Sequence, residues 1–167
     1  MVHPLRILLI VSLLSISSTF FNCNKSLAVK NCENLVNEPR GNDTCYVAIP
    51  NAFTPNGDGL NDIFRPLVKN IVSIKFTVYD QNNMVLFYTE KLNEGWPAFP
   101  GPKFAPTYYY RVEAIARSGR KIGLCGEFIA ITCKLASVDQ SKLVFEDQLD
   151  AFGNFTLPTS ENLPSSC

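Results

Sequence analysis

Across residues 44–132 the apolar residues recur at every second position or in short runs, and turn-forming residues interrupt them at close intervals. A helix needs apolar positions three and four apart over roughly ten residues or more, and no segment sustains that spacing. The clearest instance is residues 73–79. Val72, Ile74, Phe76 and Val78 fall on one face and Ser73, Lys75, Thr77 and Tyr79 on the other, the period of a half-buried strand. Residues 80–83 supply a turn and residues 84–88 return as an almost wholly apolar strand, so the two runs predict a hairpin. Residues 45–49 read as a strand stopped by Pro50, residues 108–116 as another, and residues 122–132 as the last, after a turn around Ser118 and Gly119. Residues 93–106 carry four prolines and two glycines and read as a surface connection. Short strands in this number, within about 90 residues, predict an all-β chain built as a single immunoglobulin-like β-sandwich.

The amino-terminal side reads as an address. Arg6 precedes an apolar run from Ile7 to Ile16, and the apolar character resumes at Phe20 and Phe21. Even to Phe21 the run falls short of the roughly 20 residues that span a bilayer, and it suits a secretory signal. Cys23 directly follows, where a lipoprotein signal places its acylated cysteine; ordinary cleavage after Ala28 and an uncleaved anchor are the alternatives. The expected organisation is a signal of lipoprotein type over residues 1–22, a linker arm over 23–43, the sandwich over 44–133 and a carboxyl-terminal extension over 134–167. An exported chain anchored in this way belongs at the outer membrane or cell surface, with a secreted or periplasmic form as the alternative.

Charge and composition exclude more than they assign. Fifteen basic and fifteen acidic residues balance, and loss of residues 1–22 removes only Arg6, leaving −1, so nucleic acid is not an expected partner. The one histidine is His3, inside the signal. The mature chain then has no Ser-His-Asp or Cys-His nucleophile and no histidine metal site, and no enzyme is expected.

An exported chain meets an oxidising compartment, so its six cysteines invite disulfides. Cys125 and Cys133 lie eight residues apart in one predicted strand. At about 3.3 Å per residue that is about 26 Å, far beyond the roughly 7 Å a bridge tolerates. The expected partners for these two are Cys32 and Cys45, which leaves Cys167 unpaired. Unpaired thiols throughout are the alternative.

The run Ile49-Pro50-Asn51-Ala52-Phe53-Thr54-Pro55-Asn56-Gly57-Asp58-Gly59-Leu60-Asn61-Asp62-Ile63-Phe64 resembles the opening of the gliding motility-associated C-terminal domain, the type B sorting domain of type IX secretion cargo. The strand IKFTVYD, its return MVLFYTE, the Gly95-Trp96 pair, the strand YYYRVEA and the ending GEFIAIT follow in the family's order. The resemblance implies a non-catalytic sandwich that serves in sorting, surface anchoring or assembly, with type IX secretion or cell-envelope proteins as partners and the outer membrane reached through the lipid anchor. The chain departs from the family at Gln81-Asn82-Asn83, at Trp96-Pro97-Ala98 and at Ala105-Pro106-Thr107. The family's domain normally ends its protein, whereas here residues 134–167 follow and would mask a signal read at the end of the chain.

Within the motif, Asn56, Asp58, Asn61 and Asp62 set oxygen atoms among glycines, as calcium loops do, and with two carboxylates a calcium site there would be weak. The other reading is an Asx-rich turn whose side chains satisfy their own backbone. Trp96, the single tryptophan, is either a contact residue for a polymer or packing over the sandwich edge. If it is a contact residue, the chain is a free-standing adhesion module that binds a polysaccharide or protein through Trp96 and the Asp58 loop. Glu90 and Glu94 lie at loop-like positions and read as solvated charges rather than an acid/base pair.

Overall fold

The computed structural model describes residues 32–98, 105–150, 152–156 and 158–165. Seven strands make two sheets: β1 (Tyr46–Ala48), β2 (Ala52–Phe53), β3 (Leu67–Lys69), β4 (Ile71–Tyr79), β5 (Val85–Thr89), β6 (Thr107–Ala116) and β7 (Lys121–Ala130). β1 pairs with β3, and the larger sheet runs β2-β7-β6-β4-β5. All pairings are antiparallel except β2 with β7. The chain is thus an all-β sandwich whose β4–β5 hairpin and long β6–β7 hairpin follow the alternation and turn residues of the sequence.

One expectation about faces needs correction. Val72 does not join the buried row; it is 55% exposed. The register slips between Ile71 and Ser73, so Val72 is the extra residue of a bulge and Ile71 turns inward instead. The apolar β5 is mostly exposed, with Val85, Leu86 and Tyr88 open to solvent. It is the edge of a five-stranded sheet facing a partner sheet of only two strands, which leaves it uncovered.

The core is aromatic. Phe53, Phe64, Phe76 and Phe128 are fully buried, and Phe64 stacks on Phe128 with ring planes 5° apart. Val47 of β1 and Val68 of β3 close the cluster from the small sheet. Tyr108 and Tyr110 lean on it from β6, while Tyr109 takes the other face, as alternation demands.

The arm is fixed to the outside of β7. Cys32 is bonded to Cys125, Glu38 N–H donates to the Lys121 carbonyl at 3.0 Å, and the Glu38 carboxylate accepts from Lys121 N–H at 2.9 Å. Arg120 grips Asp43 through two nitrogens, at 2.8 and 3.1 Å, and donates to the Cys45 carbonyl at 2.9 Å. The guanidinium and the Ser118 hydroxyl hold the Asp43 carboxyl well below the usual carboxylate range.

The expected disulfide role of Cys45 is not met: it is a buried free thiol. Its sulfur lies 3.9 Å from the Ser118 hydroxyl, in the turn that opens β7, whereas Cys133 follows the far end of that strand. A ten-residue strand spans about 33 Å, beyond any bridge. Cys133 is disulfide-bonded, with neither Cys32 nor Cys45 as its partner. Cys23, Cys167 and the signal lie outside the described residues.

Residues after β7 form a second, smaller core. Phe145 and Leu163 are buried against Ala52 and Ile131. Two single-turn 3-10 helices, Gln140–Lys142 and Glu146–Gln148, flank Phe145.

Candidate functional site

The motif divides into two physical halves. In the first, Pro50, Ala52, Phe53, Thr54 and Pro55 are all buried, so residues 50–55 form a rigid rail on the open side of β7. The second half is a loop closed by its own side chains. Thr54 N–H donates to the Asn61 carbonyl at 2.8 Å, which pins the loop's neck.

Inside the loop the carboxylates take backbone donors. Asp62 accepts from Gly57 N–H at 2.7 Å and from Gly59 N–H at 2.6 Å, one on each oxygen. Asn56 accepts from Asp58 N–H at 3.0 Å, and Asp58 from Leu60 N–H at 2.9 Å. Gly57 and Gly59 sit at φ +86° and +91°, which side chains disfavour. Asn61, at φ +51°, occupies the left-handed region that Asn tolerates best after Gly. The geometry is that of successive Asx turns. Among the described residues no group of three or more His, Cys, Asp or Glu is arranged to hold a metal ion.

Trp96 lies beside the end of the motif. Its backbone exchanges two hydrogen bonds with Phe64, at 2.9 and 2.8 Å, and its half-buried ring meets Tyr108 edge-on at 4.7 Å and packs near Phe53 and Phe128. Gly95 permits this approach. A Cβ there would lie 2.5 Å from Arg65 Cβ and 2.7 Å from the Phe64 carbonyl.

The residues that sequence reasoning missed are those that meet the segment after β7. Asn51 donates from Nδ2 to the Lys142 carbonyl at 2.9 Å and accepts on Oδ1 from Val144 N–H at 2.7 Å. The Asn51 and Ala52 N–H groups both point at the Val144 carbonyl, at 3.0 and 3.3 Å. Asn61 repeats the grip, accepting from Asp147 N–H at 3.1 Å and donating to the Asp147 carboxylate at 3.2 Å. Arg65 Nε reaches both oxygens of Glu146, at 2.9 and 3.0 Å. Glu161 accepts from the Thr54 hydroxyl at 2.6 Å and from Asn61 at 3.4 Å. Burial, with the nearby Asp58 and Asp147 charges, pushes the Glu161 carboxyl upward despite those bonds. The extension is therefore seated directly on the motif. Only the Lys-Leu-Val-Phe run of residues 142–145 signalled its apolar anchor.

Glu90 and Glu94 stay on the periphery. The Tyr88 hydroxyl donates to Glu90 and the Thr89 hydroxyl to Glu94, which lowers the Glu94 carboxyl.

Against known proteins, residues 47–125 match the family model described as the CHU_C type IX secretion signal domain. No curated protein and no solved structure matches the chain. The matched span opens inside β1, contains the whole motif and closes at the disulfide cysteine of β7. It is over residues 47–125, just under half of the chain, that the sequence matches the CHU_C family of type IX secretion signal domains.

Proposed function

We propose that this chain is a non-catalytic, exported protein, anchored in the outer membrane through a lipid on Cys23, whose sandwich is the sorting, surface-anchoring or assembly module of the type IX secretion and gliding apparatus. The observation that carries this reading is the motif loop. Residues 54–62 are held in one conformation by Thr54, Asn56, Asp58 and Asp62, at one end of the sandwich and within the matched span. A recognition element read by a secretion machine gains from such preorganisation, because less ordering entropy is lost on binding.

The arm supports the anchor. Cys32 is tied to Cys125, and it lies nine positions after Cys23. Fully extended, that tether reaches about 30 Å, so a lipid on Cys23 holds the sandwich close to the bilayer. The adhesion alternative draws less support, because the Trp96 ring is spent on Phe53, Tyr108 and Phe128 rather than offered to a ligand.

The test is surface protease accessibility in the native cell, comparing the intact protein with Cys23→Ala. Digestion of the intact protein by external protease, with release of Cys23→Ala into the medium, is expected. Complete protection of the intact protein behind the outer membrane contradicts the reading.

A further inference from the structure

The segment after β7 shows what the motif surface can hold. We infer that Asn51, Asn61 and Arg65 form a docking groove for a short acidic polypeptide segment, extended at residues 143–145 and turned at either end. Residues 142–147 are its resident intramolecular occupant, and a partner's segment of the same chemistry is its competitor. This rests on the sorting reading above, since it names the surface by which a partner would engage the motif.

The groove's chemistry is one-sided. This surface offers donors to the occupant's carbonyls and carboxylates: the Asn51 and Ala52 N–H groups, both carboxamide nitrogens and the Arg65 guanidinium. The two carboxamide oxygens accept the occupant's backbone N–H groups at positions 144 and 147. Asn51 thus reads backbone on both sides of Leu143, and Asn61 reads it again three residues on. The Asn51 and Ala52 contacts take an extended backbone, as strand addition at a sheet edge does, while Asn61 meets the turn that follows it. The edge concerned is that of β2, outermost in the large sheet. Selectivity then falls to the carboxylates of Glu146 on Arg65 and Asp147 on Asn61 and to one large apolar side chain against Ala52 and Ile131, the place of Phe145.

The occupant is built to exchange. Its buried anchor, Phe145, belongs to the small second cluster and not to the aromatic core. Its remaining contacts are polar: the Asn51 bonds to Lys142 and Val144, the Asn61 pair with Asp147 and the Arg65–Glu146 ion pair, which another backbone segment carrying carboxylates can also satisfy. Local units held in this way open without global unfolding.

The experiment uses the full chain and a labelled synthetic peptide of residues 139–150. In the intact chain the tethered segment competes at an effective concentration of order millimolar, so the peptide binds weakly. Phe145→Ala loosens the resident segment, and peptide affinity should rise at least about tenfold. Adding Asn51→Ala and Asn61→Ala should remove that gain. Equal affinity of the intact and Phe145→Ala chains, or binding indifferent to the two asparagines, overturns the proposal. If Phe145→Ala does not fold, hydrogen exchange on the intact chain decides. Exchange of Val144 and Asp147 amides well ahead of Phe76 and Val112 supports a detachable occupant; exchange at the same rate overturns it. Either failure leaves the cellular localisation result untouched, so the two readings fall separately.

Discussion

Gly95→Ala is the sharpest test of how the motif is fixed to the core. The backbone at Gly95 needs no left-handed conformation; the cost is the close approach alone. An added Cβ meets Arg65 Cβ and Ile63 Cγ2 at 2.5 Å and the Phe64 carbonyl at 2.7 Å. Two of these contacts are backbone or backbone-proximal, so the relief must come from opening the Phe64–Trp96 bridge. That forfeits two hydrogen bonds, about 1 kcal/mol each, and shifts Phe64, which is fully buried and stacked on Phe128. Strain and lost packing add about another 1–2 kcal/mol. The expected loss is about 3–4 kcal/mol, a fall in melting temperature of about 10 °C or more for a chain of this size. The assay is urea and thermal unfolding under non-oxidising-exchange conditions, with Gly119→Ala as control. Gly119 has φ +88° and open space around it, so its substitution should cost only about 1–2 kcal/mol. If Gly95→Ala costs no more than Gly119→Ala, the bridge is not a rigid contact and the reasoning fails.

Further outcomes follow from the other fixed points. Replacing Cys32 and Cys125 together by serine opens a link of sequence separation 93 and should cost about 3 kcal/mol in denaturant midpoint analysis. Asp62→Ala strips acceptors from the Gly57 and Gly59 amides; those two should lose exchange protection first, with a global cost of about 1–2 kcal/mol. Because the same oxygens are taken up by backbone, melting curves of the intact chain with and without several millimolar calcium should coincide, and a clear upward shift would restore the metal reading. Asp43 is held below the usual carboxylate range by Arg120, so its stabilisation is present above about pH 4 and fades as pH falls. Asp43→Asn should flatten the acid limb of a melting-temperature profile. Glu161 shifts the opposite way through burial: ionising it on a rising pH weakens the seated segment, and Glu161→Gln should leave neutral-pH stability unchanged or higher.

The strand runs were legible because their alternation is local. The β4–β5 and β6–β7 hairpins stand where periodicity and turn residues put them. What was hidden is non-local. Val72 fits the apolar row by count, and only the partner strand's register reveals the bulge that turns it out. β3 is three residues after Pro66, too short for a period to show. β2 lies between buried prolines and is a strand only because β7 runs beside it. Cys45 looked like a disulfide partner because spacing along the chain does not say which end of β7 it meets. The loop's glycines and Asx residues were readable as a turn, since that chemistry is local. Asn51, Arg65 and Glu161 were not, because their partners lie 81 to 107 positions away.

The central claim is that the sandwich is a working type IX secretion signal, and its most direct test is surface exposure of the full chain in native cells with the type IX apparatus intact or disabled. The account predicts digestion by external protease in the first and protection, with intracellular or periplasmic accumulation, in the second. Equal surface exposure in both would contradict it.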